Sequence, residues 1–323
     1  MTDIATAGTA RSPRAAEMRA MLALAWPLIL TNLAQIAITT TDVVMMGWLG
    51  PQALAAGTLG ANLFFALLIF GMGLALATAP AMAQALGRRA HAVREVRAAA
   101  GQGFVVCLLY VLPCWVLMWH AEAVLVLLGQ DPGLSAVGQD YMRALQWSLF
   151  PQLVFVVLRS FVSALQRPRA ALVVTVLAIA VNALSNWILM FGHWGAPALG
   201  VVGAGVSSTI ANALMVLGLL AYCGWDRRFR RYRLAGAMLR PDLRRLPHLL
   251  RVGLPIGIAM GFEVTVFNVA ALMMGLLGAA ALAAHAIALQ VASITFMVPL
   301  GLAQAATVRV GLAAVRRDPE GVG

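Results

Sequence analysis

Residues 45–56 read MMGWLGPQALAA, and residues 273–284 read MMGLLGAAALAA. The two segments lie 228 residues apart, and the same offset sets Pro27 on Pro255, Gly73-Leu74-Ala75 on Gly301-Leu302-Ala303 and Arg88-Arg89 on Arg316-Arg317. The register holds without a gap for about 60 residues. Apolar sequence of low complexity matches itself by chance, but a proline, glycines and an arginine pair shared at one offset mark an internal repeat.

Outward from this repeat, the chain resolves into apolar runs of the length that crosses a bilayer, about 20 residues. Eight are visible, at roughly 21–46, 54–80, 99–119, 143–165, 170–191, 199–223, 249–276 and 280–306. Of the 323 residues, 62% are hydrophobic and 11% charged, against about 45–50% and 25% in soluble domains. The expected fold is an all-α integral membrane bundle. The first run has too long an apolar stretch for a cleaved signal peptide, and it contains Asp42. An offset of six runs preserves orientation, so the repeat is parallel, about an axis along the membrane normal. The expected division is a tail at 1–20, a complete six-helix N-lobe at 21–223, a basic inter-lobe loop at 224–248, the first two helices of a C-lobe at 249–306 and a tail at 307–323.

All 23 basic residues are arginine, against 12 acids. Arg11, Arg14 and Arg19 lie in the first tail; Arg88, Arg89, Arg94 and Arg97 follow the second run; Arg167 and Arg169 follow the fourth. Eight arginines between Arg227 and Arg245 follow the sixth, and Arg316 and Arg317 close the chain. The intervening connections carry none or are acidic. By the positive-inside rule both termini are cytoplasmic. The arginines sit in short loops between apolar runs, which argues for anionic lipid heads as their neighbours and against nucleic acid. No arginine is expected mid-helix. Cys107, Cys114 and Cys223 have no metal-ligand spacing. No nucleotide-binding G-x-x-x-x-G-K-[ST], H-E-x-x-H or G-x-S-x-G motif appears, so neither an enzyme nor an ATP-driven motor is expected.

Away from loops and helix ends only two acids remain, Asp42 and Glu263. Each costs about 2.5–3.5 kcal/mol at a helix centre on insertion scales, and an acid at that depth is a functional hypothesis by default. Glu263 has no basic residue within a helical turn. It is therefore protonated, or ionised with a cation such as Na⁺ beside it, as a proton- or sodium-coupled carrier requires. Thr31, Gln35, Thr39 and Asp42, spaced 4, 4 and 3, form one polar stripe. Asn182 and Asn186 form an i,i+4 pair within reach of Asp42 if the helices pack. Ser207, Ser208, Thr209 and Asn212 read as packing residues, with Gly200, Gly203 and Gly205 suited to close helix contact. Pro27, Pro255 and Pro299 lie inside their runs as candidate hinges.

These residues resemble the multidrug and toxic compound extrusion (MATE) transporters, in particular the NorM-type branch. The likeness is carried by Pro27, Asp42, Met46-Gly47 and Leu49-Gly50; by Ala83-Gln84-Ala85-Leu86-Gly87; by Asn182 and Asn186 with Phe191-Gly192; and by Gly253-Leu254-Pro255 through Glu263, Ala283-Ala284-His285, Phe296-Met297-Val298-Pro299 and Val310-Gly311. The resemblance implies twelve helices in two lobes that open alternately, exporting cationic aromatic small molecules in exchange for Na⁺ or H⁺, with no cofactor beyond the coupling ion. It implies that Glu263 belongs to the cation site of the second lobe and Asp42, partnered by Asn182 and Asn186, to that of the first. Some branches have Asp where Asn186 stands. The sequence ends after the eighth helix, without the four further helices and the helix-10 acid that the resemblance sets opposite Glu263. Two alternatives stand beside antiport: an exporter of lipid-linked saccharides with the same fold, and a truncated membrane remnant without transport.

Overall fold

In hydrocarbon an unpaired backbone N–H or C=O is costly, so an apolar chain closes its hydrogen bonds within helices. The computed structural model describes residues 13–88, 91–239, 246–277 and 279–316, and every α or 3₁₀ element among them is helical, with no strand. The helices are α1 (Pro13–Trp48), α2 (Pro51–Leu76), α3 (Thr78–Gly87), α4 (Ala92–Trp119), α5 (Ala121–Leu127), α6 (Pro132–Ala164), α7 (Arg169–Phe191), α8 (Val201–Trp225), α9 (Arg227–Arg230), α10 (Leu234–Leu239), α11 (Leu246–Leu277) and α12 (Ala279–Arg316). Among the described residues eight helical segments, α2 and α3 forming one, are long and apolar enough to span a membrane, and each overlaps one of the eight apolar runs. Arg11, Arg89, Arg240, Arg244, Arg245 and Arg317 lie outside the described residues.

Several ends differ from the sequence expectation, for local reasons. The fourth span starts at Pro132 rather than near 143, because Asp131 caps it: its carboxylate accepts from the Leu134 N–H at 3.0 Å, with Pro132 in the first turn. Asp140 is therefore helical and not in a loop. The first helix already runs from Pro13, within the expected tail, and the last continues to Arg316 rather than stopping at 306. Gly200 makes no close helix contact; it precedes α8 with φ +56° and open space around it.

The segment 224–248 is more than a basic loop. It holds α9 and α10, and Phe229 and Tyr232 are fully buried beneath them. Phe161 of α6 meets both rings edge-on, at centroid distances of 5.7 and 5.2 Å. The Arg231 guanidinium lies 5.1 Å from the Tyr232 ring centroid. The aromatics thus pin this segment to the arginine-bearing end of the bundle, while Arg227, Arg228, Arg230, Arg231 and Arg233 are exposed.

α6 forms the centre. It packs most extensively on α8 and α2, and Leu149, Leu153, Phe155, Leu158 and Phe161 have no exposed surface. At Gly205 an added Cβ would stand 2.8 Å from the Ala144 Cβ and 2.9 Å from the Leu145 nitrogen, so a glycine there lets α8 close on α6. At the arginine-poor end Trp115, Trp119 and Trp147 surround a groove of about 350 Å³, the position tryptophan favours at a bilayer interface.

α11 lies against α2, and α12 against α1 and α3. The contacts obey the 228-residue offset. A Cβ on Gly73 would meet the Gly257 Cα at 2.3 Å, and a Cβ on Gly301 would meet Ile29, its Cγ1 at 2.4 Å and its nitrogen at 3.0 Å. Gly301 is the repeat mate of Gly73 and Gly257 that of Ile29, so one contact is the image of the other. Ala83 and its own mate Gly311 touch each other, with a Cβ on Gly311 only 2.9 Å from the Ala83 Cβ. Self-paired mates mark the neighbourhood of a pseudo-twofold axis running along the helices, as a parallel repeat requires.

A side chain at Gly73 has backbone on its far side and nowhere to move. Gly73→Val is expected to lower the thermal unfolding midpoint of the purified protein, since overpacking typically costs about 1–3 kcal/mol. Gly47→Ala, which meets nothing within 4 Å, is expected to leave that midpoint unchanged or slightly raised.

Candidate functional site

The polar stripe of α1 is divided between two neighbours. Thr31 turns back to its own helix, its hydroxyl donating to the Pro27 carbonyl at 2.7 Å. Thr39 is exposed and does the same toward Gln35 at 3.4 Å. Gln35 and Asp42, the remaining two, meet different partners.

Asp42 is buried near the arginine-poor end of α1, with 7% of its surface exposed. Its Oδ1 accepts from Asn182 Nδ2 at 3.0 Å and from Asn186 Nδ2 at 2.6 Å. Its Oδ2 accepts from Ser208 Oγ at 2.5 Å. α7 supplies the two amides because residues four apart stack on one face, and α8 supplies the hydroxyl. Asn182 and Asn186 have no exposed surface, and Asn186 Oδ1 is buried without a partner. Ser208, read from sequence as packing, is a direct partner of the carboxylate. Its neighbour Ser207 is the packing residue: fully buried, with no hydrogen bond.

The arrangement has a definite chemical character. Three neutral donors stabilise a carboxylate, yet among the described residues no cation pairs with it. Asp42 and the amide and hydroxyl oxygens around it are hard ligands of the kind that hold a proton or a hard metal cation. Amide oxygen and nitrogen exchange places by a flip of the side chain, so the orphan Asn186 oxygen is a ready ligand.

The second partner of α1 was not expected. Arg159 lies inside the fourth span, about a turn and a half before the end of α6, and is 3% exposed. Its Nη1 donates to Asn32 Oδ1 at 2.7 Å and to Gln35 Oε1 at 3.3 Å. The expectation that no arginine lies within a span is therefore overturned. The signal was available: one charge in the run VFVVLRSFVSA, residues 154–164, marks either an end that reaches water or a buried polar partner.

Glu263 stands apart from both centres. It is exposed on α11, on the side where Phe262, Val266 and Phe267 are also exposed, and among the described residues it has no hydrogen-bond or ionic partner. Asp42 and Glu263 thus belong to separate surroundings. Pro27, Pro255 and Pro299 each lie within a continuous helix, in α1, α11 and α12.

Comparison with known proteins bears on this geometry. The MatE family model matches residues 27–188 and 255–323. A "Probable multidrug resistance protein NorM" of Mesorhizobium japonicum is 54% identical over 306 residues, covering 95% of this chain and 66% of its own length. A protein of that description from Brucella suis is 47% identical over 306 residues, covering 95% and 65%. The chain spans just under two thirds of the length of these relatives. Among solved structures, that of the eukaryotic MATE transporter AtDTX14 superposes with a TM-score of 0.83 at 20% identity, covering 95% of this chain and 68% of the other. An outward-facing multidrug resistance MATE family transporter superposes with 0.79 at 21%, covering 95% and 67%.

Two adjacent serines test the site. Ser208→Ala removes a donor from a buried carboxylate and is expected to cost about 1.5–3 kcal/mol, the range for hydrogen bonds to charged groups. Ser207→Ala removes a hydroxyl that has no partner and is expected to be neutral or stabilising. Thermal midpoints of the two variants beside the parent protein give the order directly.

Proposed function

The chain belongs to the MatE family, and from that membership we propose that in full-length form it is a secondary exporter of small molecules across the bacterial inner membrane. Cationic aromatic compounds leave in exchange for Na⁺ or H⁺, both termini face the cytoplasm, and lipid surrounds the two lobes. The carrying observation is the Asp42 centre: a buried carboxylate held by three uncharged donors, with no basic side chain paired to it among the described residues. Such a centre binds a proton or Na⁺ when that ion is plentiful and releases it when it is scarce, which is the elementary act of ion coupling.

The rest of the cycle follows from where the charge sits. An ion on Asp42 neutralises the carboxylate, weakens its hold on Asn182, Asn186 and Ser208, and so loosens α1 from α7 and α8. α1 also packs on α12 across the repeat axis, so its movement reaches the second repeat. Pro27, Pro255 and Pro299 interrupt the helical hydrogen-bond ladder and are the proposed bending points. Glu263 is the proposed second ion-binding acid. Its exposure leaves it free to meet a cation or a further acid there.

The saccharide-exporter alternative is weaker. A pyrophosphate carrier needs several cavity arginines, and Arg159 is the single buried arginine among the described residues. The non-transporting alternative separates from antiport by one observation, whether the purified chain binds or moves a dye.

The test is dye efflux from proteoliposomes carrying the full-length transporter under an imposed Na⁺ or proton gradient. Glu263→Gln and Asp42→Asn are each expected to abolish gradient-driven efflux, leaving the rate of empty vesicles. Efflux that persists in both variants with its cation dependence unchanged contradicts the proposal.

A further inference from the structure

The Arg159 cluster plays no part in the ion exchange proposed above, and its hydrogen bonding does not balance. Arg159 carries five N–H donors and no acceptor. Among the described residues only Nη1 is engaged, by the uncharged oxygens of Asn32 and Gln35. Among the described residues no carboxylate pairs with the guanidinium. Asn32, 5% exposed, gives its oxygen to Arg159 and leaves its Nδ2 donor buried without a partner. Ser163, 4% exposed, stands one turn further along the same face of α6, and its hydroxyl is also buried without a partner. The buried guanidinium of α6 thus reaches across to α1 with an orphan amide beside it, a second orphan group stands one turn along its own helix, and among the described residues no acceptor of opposite charge meets it.

A buried charge is tolerated when it is paired and its hydrogen bonds are satisfied. The Arg88–Glu95 pair shows how this chain treats an arginine that has an acid in reach, at 3.9 Å. Asp42 cannot serve Arg159: it lies seven residues beyond Gln35, about 10 Å along α1 by the helical rise, and both its oxygens are engaged. Water would satisfy the N–H groups but not the charge.

We infer that Arg159, Asn32 and Ser163 form a binding site for one small monovalent anion, chloride or a carboxylate. The anion takes the free edge of the guanidinium in the charge-assisted geometry that arginine offers, and accepts from Asn32 Nδ2 and the Ser163 hydroxyl. The occupied site ties α1 to α6 below Asp42, so the anion acts on the helix that carries the proposed ion centre.

The test is the thermal unfolding midpoint of the purified full-length protein in sodium salts of equal ionic strength, with chloride, acetate or a bulky sulfonate as the anion. Ligand binding to the folded state raises the midpoint with concentration, and a tenfold excess over the dissociation constant is expected to give a rise on the order of 3 °C. Protection by chloride identifies an inorganic source, and protection by acetate alone a carboxylate source; either supports the site. Asn32→Asp places a carboxylate on the guanidinium from within the chain. That variant is expected to have the midpoint of the anion-saturated parent in every salt, with its anion dependence lost. Arg159→Gln is expected to lose the dependence as well, and should it fail to fold, Asn32→Asp still decides. Equal midpoints for the parent in all three salts overturn the inference, as does an Asn32→Asp protein that keeps the parent's anion dependence.

Discussion

A carboxylate cannot be left bare in hydrocarbon, and the first six spans are arranged around meeting that condition for Asp42. Two amides from α7 and a hydroxyl from α8 converge on its oxygens. For them to do so, α7 and α8 must pack closely and in one rotational setting. Gly203 permits this, since a Cβ there would stand 2.7 Å from the Leu189 backbone. α8 in turn closes on α6 at Gly205. Close packing through small residues and polar contacts between helices are what association in lipid relies on, because apolar burial alone brings little advantage there. The polar centre and the glycines are two parts of one solution.

The sequence disclosed most of this, and its omissions have physical causes. The eight spans, the repeat and the shared face of Asn182 and Asn186 follow from apolar length, a constant offset and i,i+4 spacing, all local properties, whereas their pairing with Asp42 is an expectation that the resemblance supplies. The choice between Ser207 and Ser208 was not local. The two are neighbours in sequence and 100° apart around α8, so the donor is fixed by the helix rotation that α6 and α7 impose. The start of the fourth span was legible in Asp131-Pro132, a capping pair that the apolar count passed over. Arg159 was visible as a charge in an apolar run. The anchoring of 224–248 was obscured because the arginines there dominate the composition, while Phe229 and Tyr232 between them supply the packing.

α1 gathers the main features. It carries Asp42 toward one end, Asn32 and Gln35 a few turns below, and Pro27 below those, and its Ile29 forms half of the contact with Gly301 across the pseudo-twofold axis. A negative centre and a positive centre therefore hold one helix at two heights, against α7 and α8 above and α6 below. A change in the charge of either centre alters how firmly α1 is seated, and the same helix borders the second repeat. Glu263 has no equivalent setting, since the described residues place nothing opposite it.

The most direct test of this account is infrared difference spectroscopy on the chain in lipid, recorded while Na⁺ is added or the pH is changed, with aspartate isotopically labelled and Asp42→Asn as the reference. The account predicts a labelled carboxyl signal that changes with the ion and is absent from the variant. A spectrum in which the labelled carboxyl groups respond identically in both proteins would contradict the claim that Asp42 is the ion-responsive centre of the first lobe.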